Sequence, residues 1–177
     1  VEVGSPSWVW LGNPGANAQI QLRKEFTLDG EIEQAFVAAT ADNQCDVFIN
    51  DKRVVRSNAW EALETGDAKK NLTSGVNVIA ISAKNDGGPA GVIATLQVKT
   101  KSGAIVNVST DATWKGAANT KGAAWRNTGF DDKDWANVQV IGAIGDTKLP
   151  WSGSINRDAL ESAFGGGSSG EFKPEIA

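Results

Sequence analysis

The sequence predicts an all-β chain: an antiparallel two-sheet sandwich, then a short C-terminal helix and an extended tail. Three observations predict it. Apolar and polar residues alternate over short runs, turn-forming pairs separate those runs at spacings of about 8–12 residues, and no helical periodicity precedes Asn156.

From Ile20 to Leu28, the apolar Ile20, Leu22, Phe26 and Leu28 alternate with Gln21, Arg23, Glu25 and Thr27, with Lys24 the one exception. That is the period of a half-buried strand. Ala35, Val37, Ala39 and Ala41 repeat it, and Cys45, Val47 and Ile49 lead to Asn50-Asp51 and then Lys52 to Val55. Two turn-prone residues between strands predict a tight hairpin. Val76 to Ala83 is apolar on both alternating faces, which predicts a strand in the middle of a sheet. The stretch Asn85 to Gly91 breaks it. Val92, Ala94, Leu96 and Val98 share one face of the next strand, Ser102-Gly103 turns the chain, and Ala104, Val106 and Val108 return. A last strand is expected around Val138 to Ile141. Asn156 is a helix N-cap before Arg157 to Phe164, with Gly165 as the stop. The expected division is a sandwich over 1–151, a helical segment over 152–164, and a Gly/Ser-rich spacer with C-terminal tail over 165–177.

Composition excludes several functions. The 177-residue chain has neither His nor Tyr, which removes the usual neutral-pH base, the commonest zinc ligand and the phenolic acid. No carboxylate pair stands in a glycosidase-like motif, so a non-catalytic protein without a cofactor is expected. A net charge of −4 argues against nucleic-acid partners, which need basic patches. No apolar run approaches the roughly 18 residues of a bilayer span, so no membrane insertion is expected. The chain begins at Val1 and lacks Met, which is read as an exported protein whose leader has been cleaved, extracellular or periplasmic. Cys45 is the sole cysteine and fits a small buried hydrophobe.

Several segments then stand in a telling order. Ala41-Asp42-Asn43 precedes Val47-Phe48-Ile49-Asn50; Leu72 to Gly75 leads into Asn77-Val78-Ile79-Ala80, followed by Ala90-Gly91. Thr110-Asp111, Trp114, Trp125, Phe130-Asp131-Asp132, Trp135 and Leu149-Pro150-Trp151 come after. Over Trp8 to Trp151 the chain resembles the galactose-binding-like sandwich modules that accompany bacterial rhamnosidases and other glycoside hydrolases. The resemblance implies the jelly-roll fold and a secreted accessory module that binds carbohydrate. Its alternative is a structural subunit that packs against partner proteins and is anchored by its tail, since such a fold does not dictate function. This chain departs from common relatives in having Cys45 where an aromatic is usual and Asp51 at the hairpin glycine.

Seven Trp without a Tyr single out the side chain best suited to stack on a sugar ring while its N–H meets a hydroxyl. Trp8, Trp10, Trp114, Trp135 and Trp151 fall at positions that fill or cap the sandwich. Trp60, in an irregular stretch, and Trp125, before Arg126-Asn127, remain as ligand candidates. Asn85 and Asp86 could fork onto vicinal hydroxyls, or belong to a long turn whose Gly91 serves packing. Arg126 could meet a hydroxyl or a uronate carboxylate, or form a surface salt bridge. Asp131, Asp132 and Asp134 are the densest carboxylate cluster and a weak calcium candidate, with Asp42-Asn43 weaker still. Their alternative is a capped turn that positions Trp135.

Overall fold

A computed structural model of the chain describes residues 3–14 and 18–165. The spacer and tail beyond Gly165, expected to dock or to link, lie outside the described residues. Among the described residues, twelve strands form two sheets. In chain order they are β1 (Ser7–Trp10), β2 (Gln19–Leu28), β3 (Ile32–Asp42), β4 (Gln44–Ile49), β5 (Lys52–Ser57), β6 (Glu64–Asp67), β7 (Gly75–Lys84), β8 (Gly91–Thr100), β9 (Ile105–Ser109), β10 (Lys115–Ala118), β11 (Ala136–Asn137) and β12 (Gln139–Ala143). One helix, α1 (Arg157–Ala163), follows.

The first sheet runs β12-β1-β8-β3-β6, with β9 also on β8; the second runs β11-β10-β2-β7-β4-β5. Every pairing is antiparallel. The chain changes sheets at Asp42-Asn43, between β3 and β4. Asn50 and Asp51 both take positive φ, 47° and 72°, the backbone that a two-residue hairpin between twisted strands requires.

Alternation places Ala35, Val37, Ala39 and Ala41 of β3 and Val92, Ala94, Leu96 and Val98 of β8 against Ile20, Leu22, Val47, Ile49, Ile79 and Ile81 of the second sheet. This is the sandwich core. The opposite face of β3 and β8 is buried as well. Phe36 and Ala38 pack under Leu160 of α1 and Phe164 just after it, and Ile93 packs under Trp8, Trp151 and Ile155. The segment after Trp151 therefore closes the outer face of the first sheet. Trp8 and Trp151 stack with centroids 4.2 Å apart. Gly91 lies beneath them, and a Cβ there would stand 2.8 Å from Trp8 and 2.9 Å from Trp151, closer than a side chain can sit.

The Asn156 side chain caps α1 by accepting from the Ala159 N–H at 3.0 Å. Replacing Asn156 with Ala is expected to cost about 1 kcal/mol in chemical denaturation, the usual loss for a cap. Arg157 donates to the carbonyls of Gly4 at 3.1 Å and Val3 at 3.2 Å, so the first described residues and the last helix are tied together.

The outer face of the second sheet is covered at one end only. Between β10 and β11 the chain folds back across β2 and is fastened there by Arg23, which is 1% exposed. The Arg23 guanidinium donates to the carbonyls of Trp125 at 2.9 Å and Asn127 at 2.8 Å, and to the carboxylates of Glu25 and Asp132. It also lies over the Phe130 ring, 5.4 Å from the centroid. A planar five-donor fork suits so many acceptors at once.

Candidate functional site

The five residues singled out in the sequence separate into two places. Trp60, Asn85 and Asp86 belong to the end of the sandwich where β3 passes into β4. Trp125 and Arg126 belong to the outer face of the second sheet.

At the sandwich end, Trp60 sits in the turn between β5 and β6 and is half-buried. Its turn is held by Thr40 and Ser57, whose hydroxyls both donate to the Ala59 carbonyl. The indole packs on the cluster of Trp8, Ile93, Trp151 and Ile155, leaving part of the ring in solvent. Trp151 in turn donates its Nε1–H to Asp42 Oδ2 at 3.0 Å, which fixes a carboxylate that is 9% exposed. Next to it, Asn43 Oδ1 accepts from the Asp86 N–H at 2.7 Å, and Asn43 N–H donates to the Lys84 carbonyl at 2.9 Å. The Asp86 carboxylate is exposed and stands 3.5 Å from the Lys84 ammonium. Trp60 thus packs on the cluster whose Trp151 holds Asp42, and Asn43 and Asp86 lie at the same end of the fold.

Asn85 plays another part than the fork expected of it. It is 5% exposed, donates to the Gly88 carbonyl at 3.2 Å and accepts from the Gly87 N–H at 3.4 Å. Its amide is spent on shaping the loop that presents Asp86. Asp42 and Asn43 matter more here than the sequence suggested, because the strand pairing that brings their loop against residues 84–86 is a long-range contact.

On the other surface, Trp125 is 4% exposed, so its ring faces are not free to stack on a sugar. Its Nε1–H donates to the Gly122 carbonyl at 3.0 Å, and its ring meets Phe48 edge-on with centroids 6.2 Å apart. Arg126 pairs with Asp51 at 2.8 Å and covers the Phe48 ring at 4.2 Å. The indole forms the wall of a cleft of about 640 Å³, and Arg126 forms part of its rim.

The acidic cluster is a turn. Asp132 faces Arg23, Asp131 accepts from the Lys133 N–H at 3.1 Å, and the Asp132 carbonyl accepts from the Trp135 N–H at 2.9 Å. Asp131, Asp132 and Asp134 therefore do not converge as calcium ligands. Among the described residues no group of three or more His, Cys, Asp and Glu side chains is placed to hold a metal ion. Cys45 is 2% exposed, and burial pushes its thiol up to about 12, which leaves it protonated and unreactive at neutral pH. No helix among the described residues is long and apolar enough to cross a membrane.

Two apposed antiparallel sheets with a polar, aromatic-bearing end define a galactose-binding-like jelly-roll module. No family model matches the chain. It is 32% identical over 157 residues to an alpha-L-rhamnosidase of Streptomyces avermitilis, a match covering 82% of this chain but 15% of that protein. The crystal structure of the Streptomyces avermitilis alpha-L-rhamnosidase complexed with L-rhamnose gives a TM-score of 0.77 at 30% identity, over 88% of this chain and 16% of that one. A lectin from Pleurotus ostreatus, solved in its apo form and in complex with GalNAc, gives a TM-score of 0.73 at 28% identity, over 85% of this chain and 45% of that one. The module spans only a small part of the rhamnosidase's length.

Proposed function

We propose that this module binds carbohydrate without catalysing its turnover, and that the sandwich end bearing Trp60 holds the sugar. The observation that carries this reading is the half-exposed Trp60 indole at the end of the fold where Asp42, Asn43 and Asp86 gather. A sugar ring offers an apolar C–H face to the indole and hydroxyls to the carboxylates and amide. Likeness to a lectin complexed with GalNAc and to a rhamnosidase complexed with L-rhamnose supports a monosaccharide of that kind as ligand. The small share of the rhamnosidase that the module spans supports an accessory, non-catalytic role. The reading places the module outside the cytoplasm, where polymeric glycans are met.

A glycan array followed by calorimetry with L-rhamnose and GalNAc tests it. Trp60→Ala is expected to weaken binding by about tenfold or more, roughly 1.4 kcal/mol, as loss of a central aromatic anchor does. Its melting temperature should stay near that of the parent. Absence of binding to every glycan at millimolar concentration, or unchanged affinity in the Trp60→Ala variant, overturns the reading.

A further inference from the structure

The cleft on the outer face of the second sheet is a second surface with chemistry of its own. Its floor is the row Gln21, Ser82 and Asp46, which the strand register sets side by side on β2, β7 and β4. Arg53 and Arg56 rise from β5 at one side, and Trp125 and Arg126 from the folded-back segment at the other.

The charges do not balance. Asp46 faces both Arg56, at 2.8 Å, and Arg53, at 3.7 Å, while Asp51 faces Arg126 at 2.8 Å. Three guanidinium groups against two carboxylates leave one positive charge, on a chain whose net charge is −4. Donors are also in excess. Arg56 donates to Asp46 through Nε, Arg126 Nε pairs with Asp51 without the geometry of a hydrogen bond, and the Arg53 contact is too long for one. Gln21 accepts from the Thr120 N–H at 2.7 Å, which leaves its amide N–H₂ as a further donor. The arginines at β5 are about half exposed, 49% for Arg53 and 54% for Arg56, and so reach solvent above the floor.

A ligand that answers this surface has hydroxyls for the amides and Ser82, and a carboxylate for the arginine forks, which match carboxylates in a two-pronged way. We infer that this cleft binds a uronate-bearing oligosaccharide, at a place separate from the sugar site proposed for Trp60. Nucleic acid fits poorly, because its binding rests on neutralising a run of successive phosphates and this surface has a single excess positive charge.

Calorimetry on the full chain tests the inference with three probes of equal length: an oligogalacturonate, its carboxyl-reduced neutral counterpart, and a sulfated oligosaccharide. The oligogalacturonate is expected to bind at least about tenfold more tightly than the neutral probe at low salt, with the gap closing as salt screens the pairs. The double variant Arg53→Gln/Arg56→Gln, whose positions are exposed, should erase that gap at an unchanged melting temperature. Trp60→Ala should leave it intact, which separates this surface from the first site. Equal affinity for the uronate and neutral probes overturns the inference, and tighter binding of the sulfated probe overturns the carboxylate assignment.

Discussion

Replacing Arg23 with methionine is expected to lower the free energy of unfolding by about 3 kcal/mol, near the lower end of what breaking a buried charge pair costs. The lower end applies because Glu25 and Asp132 keep 35% and 27% side-chain exposure and are partly hydrated once the guanidinium is gone. The carbonyls of Trp125 and Asn127 then lose their donors, and nothing else fastens the crossing segment to β2 as firmly. Hydrogen exchange should rise over residues 119–135 before it rises in the core strands. Arg23→Lys should rescue little, since a single ammonium cannot meet four acceptors spread in a plane. Denaturation followed by tryptophan fluorescence reads both variants. A Lys variant within about 0.5 kcal/mol of the parent would show that charge alone suffices at this position.

The second large effect is at Trp151. Trp151→Ala removes the ring stacked on Trp8 and leaves a cavity over Ile93, a loss of about 3–5 kcal/mol for a buried tryptophan. It also strips the Asp42 carboxylate of its indole donor. Trp151→Phe separates the two terms. It keeps most of the packing and orphans Asp42 Oδ2, with an expected cost of about 1–3 kcal/mol. Because Asp42 adjoins the Trp60 surface, the Phe variant should also weaken sugar binding while remaining folded at room temperature. Thermal denaturation and calorimetry on the same samples check both statements; a Phe variant as stable as the parent would remove the hydrogen bond from the account.

The central strands were legible because their alternation is strong. Ile20 to Leu28, Ala35 to Ala41 and Val76 to Ala83 all fall within strands, and the Asn50-Asp51 hairpin and the Asn156 cap stand where turn and cap chemistry placed them. Strands β6 and β10 were not legible. Glu-Thr-Gly-Asp and Lys-Gly-Ala-Ala carry no alternating pattern, and they are strands because a neighbour supplies the ladder. Gly66 shows the reason for its own composition, since a Cβ there would strike the Val54 carbonyl.

The placement of the candidate residues was half legible. Trp60 and Asp86 stand in the gathering described, whereas Trp125 is buried by a segment whose path depends on Arg23, a residue that reads in sequence as an ordinary solvent-facing position of a strand. The same crossing takes Asp132 away from its neighbours. Asn85 resembles a ligand residue in sequence because loop-building and hydroxyl-binding amides have the same composition, and only the Gly87 and Gly88 contacts distinguish them.

The tie between Arg157 and the backbone of Val3 and Gly4, with Val3 packed beside Leu160 and Phe164, brings the two ends of the described residues to one spot. A host chain can therefore carry this module between two adjacent points of its own surface without being pried apart, and can gain or lose it as a single cassette. The cut must fall after Phe164. A cassette trimmed at Trp151 would bare Phe36 and Ala38 on the first sheet and would travel as a sticky fragment.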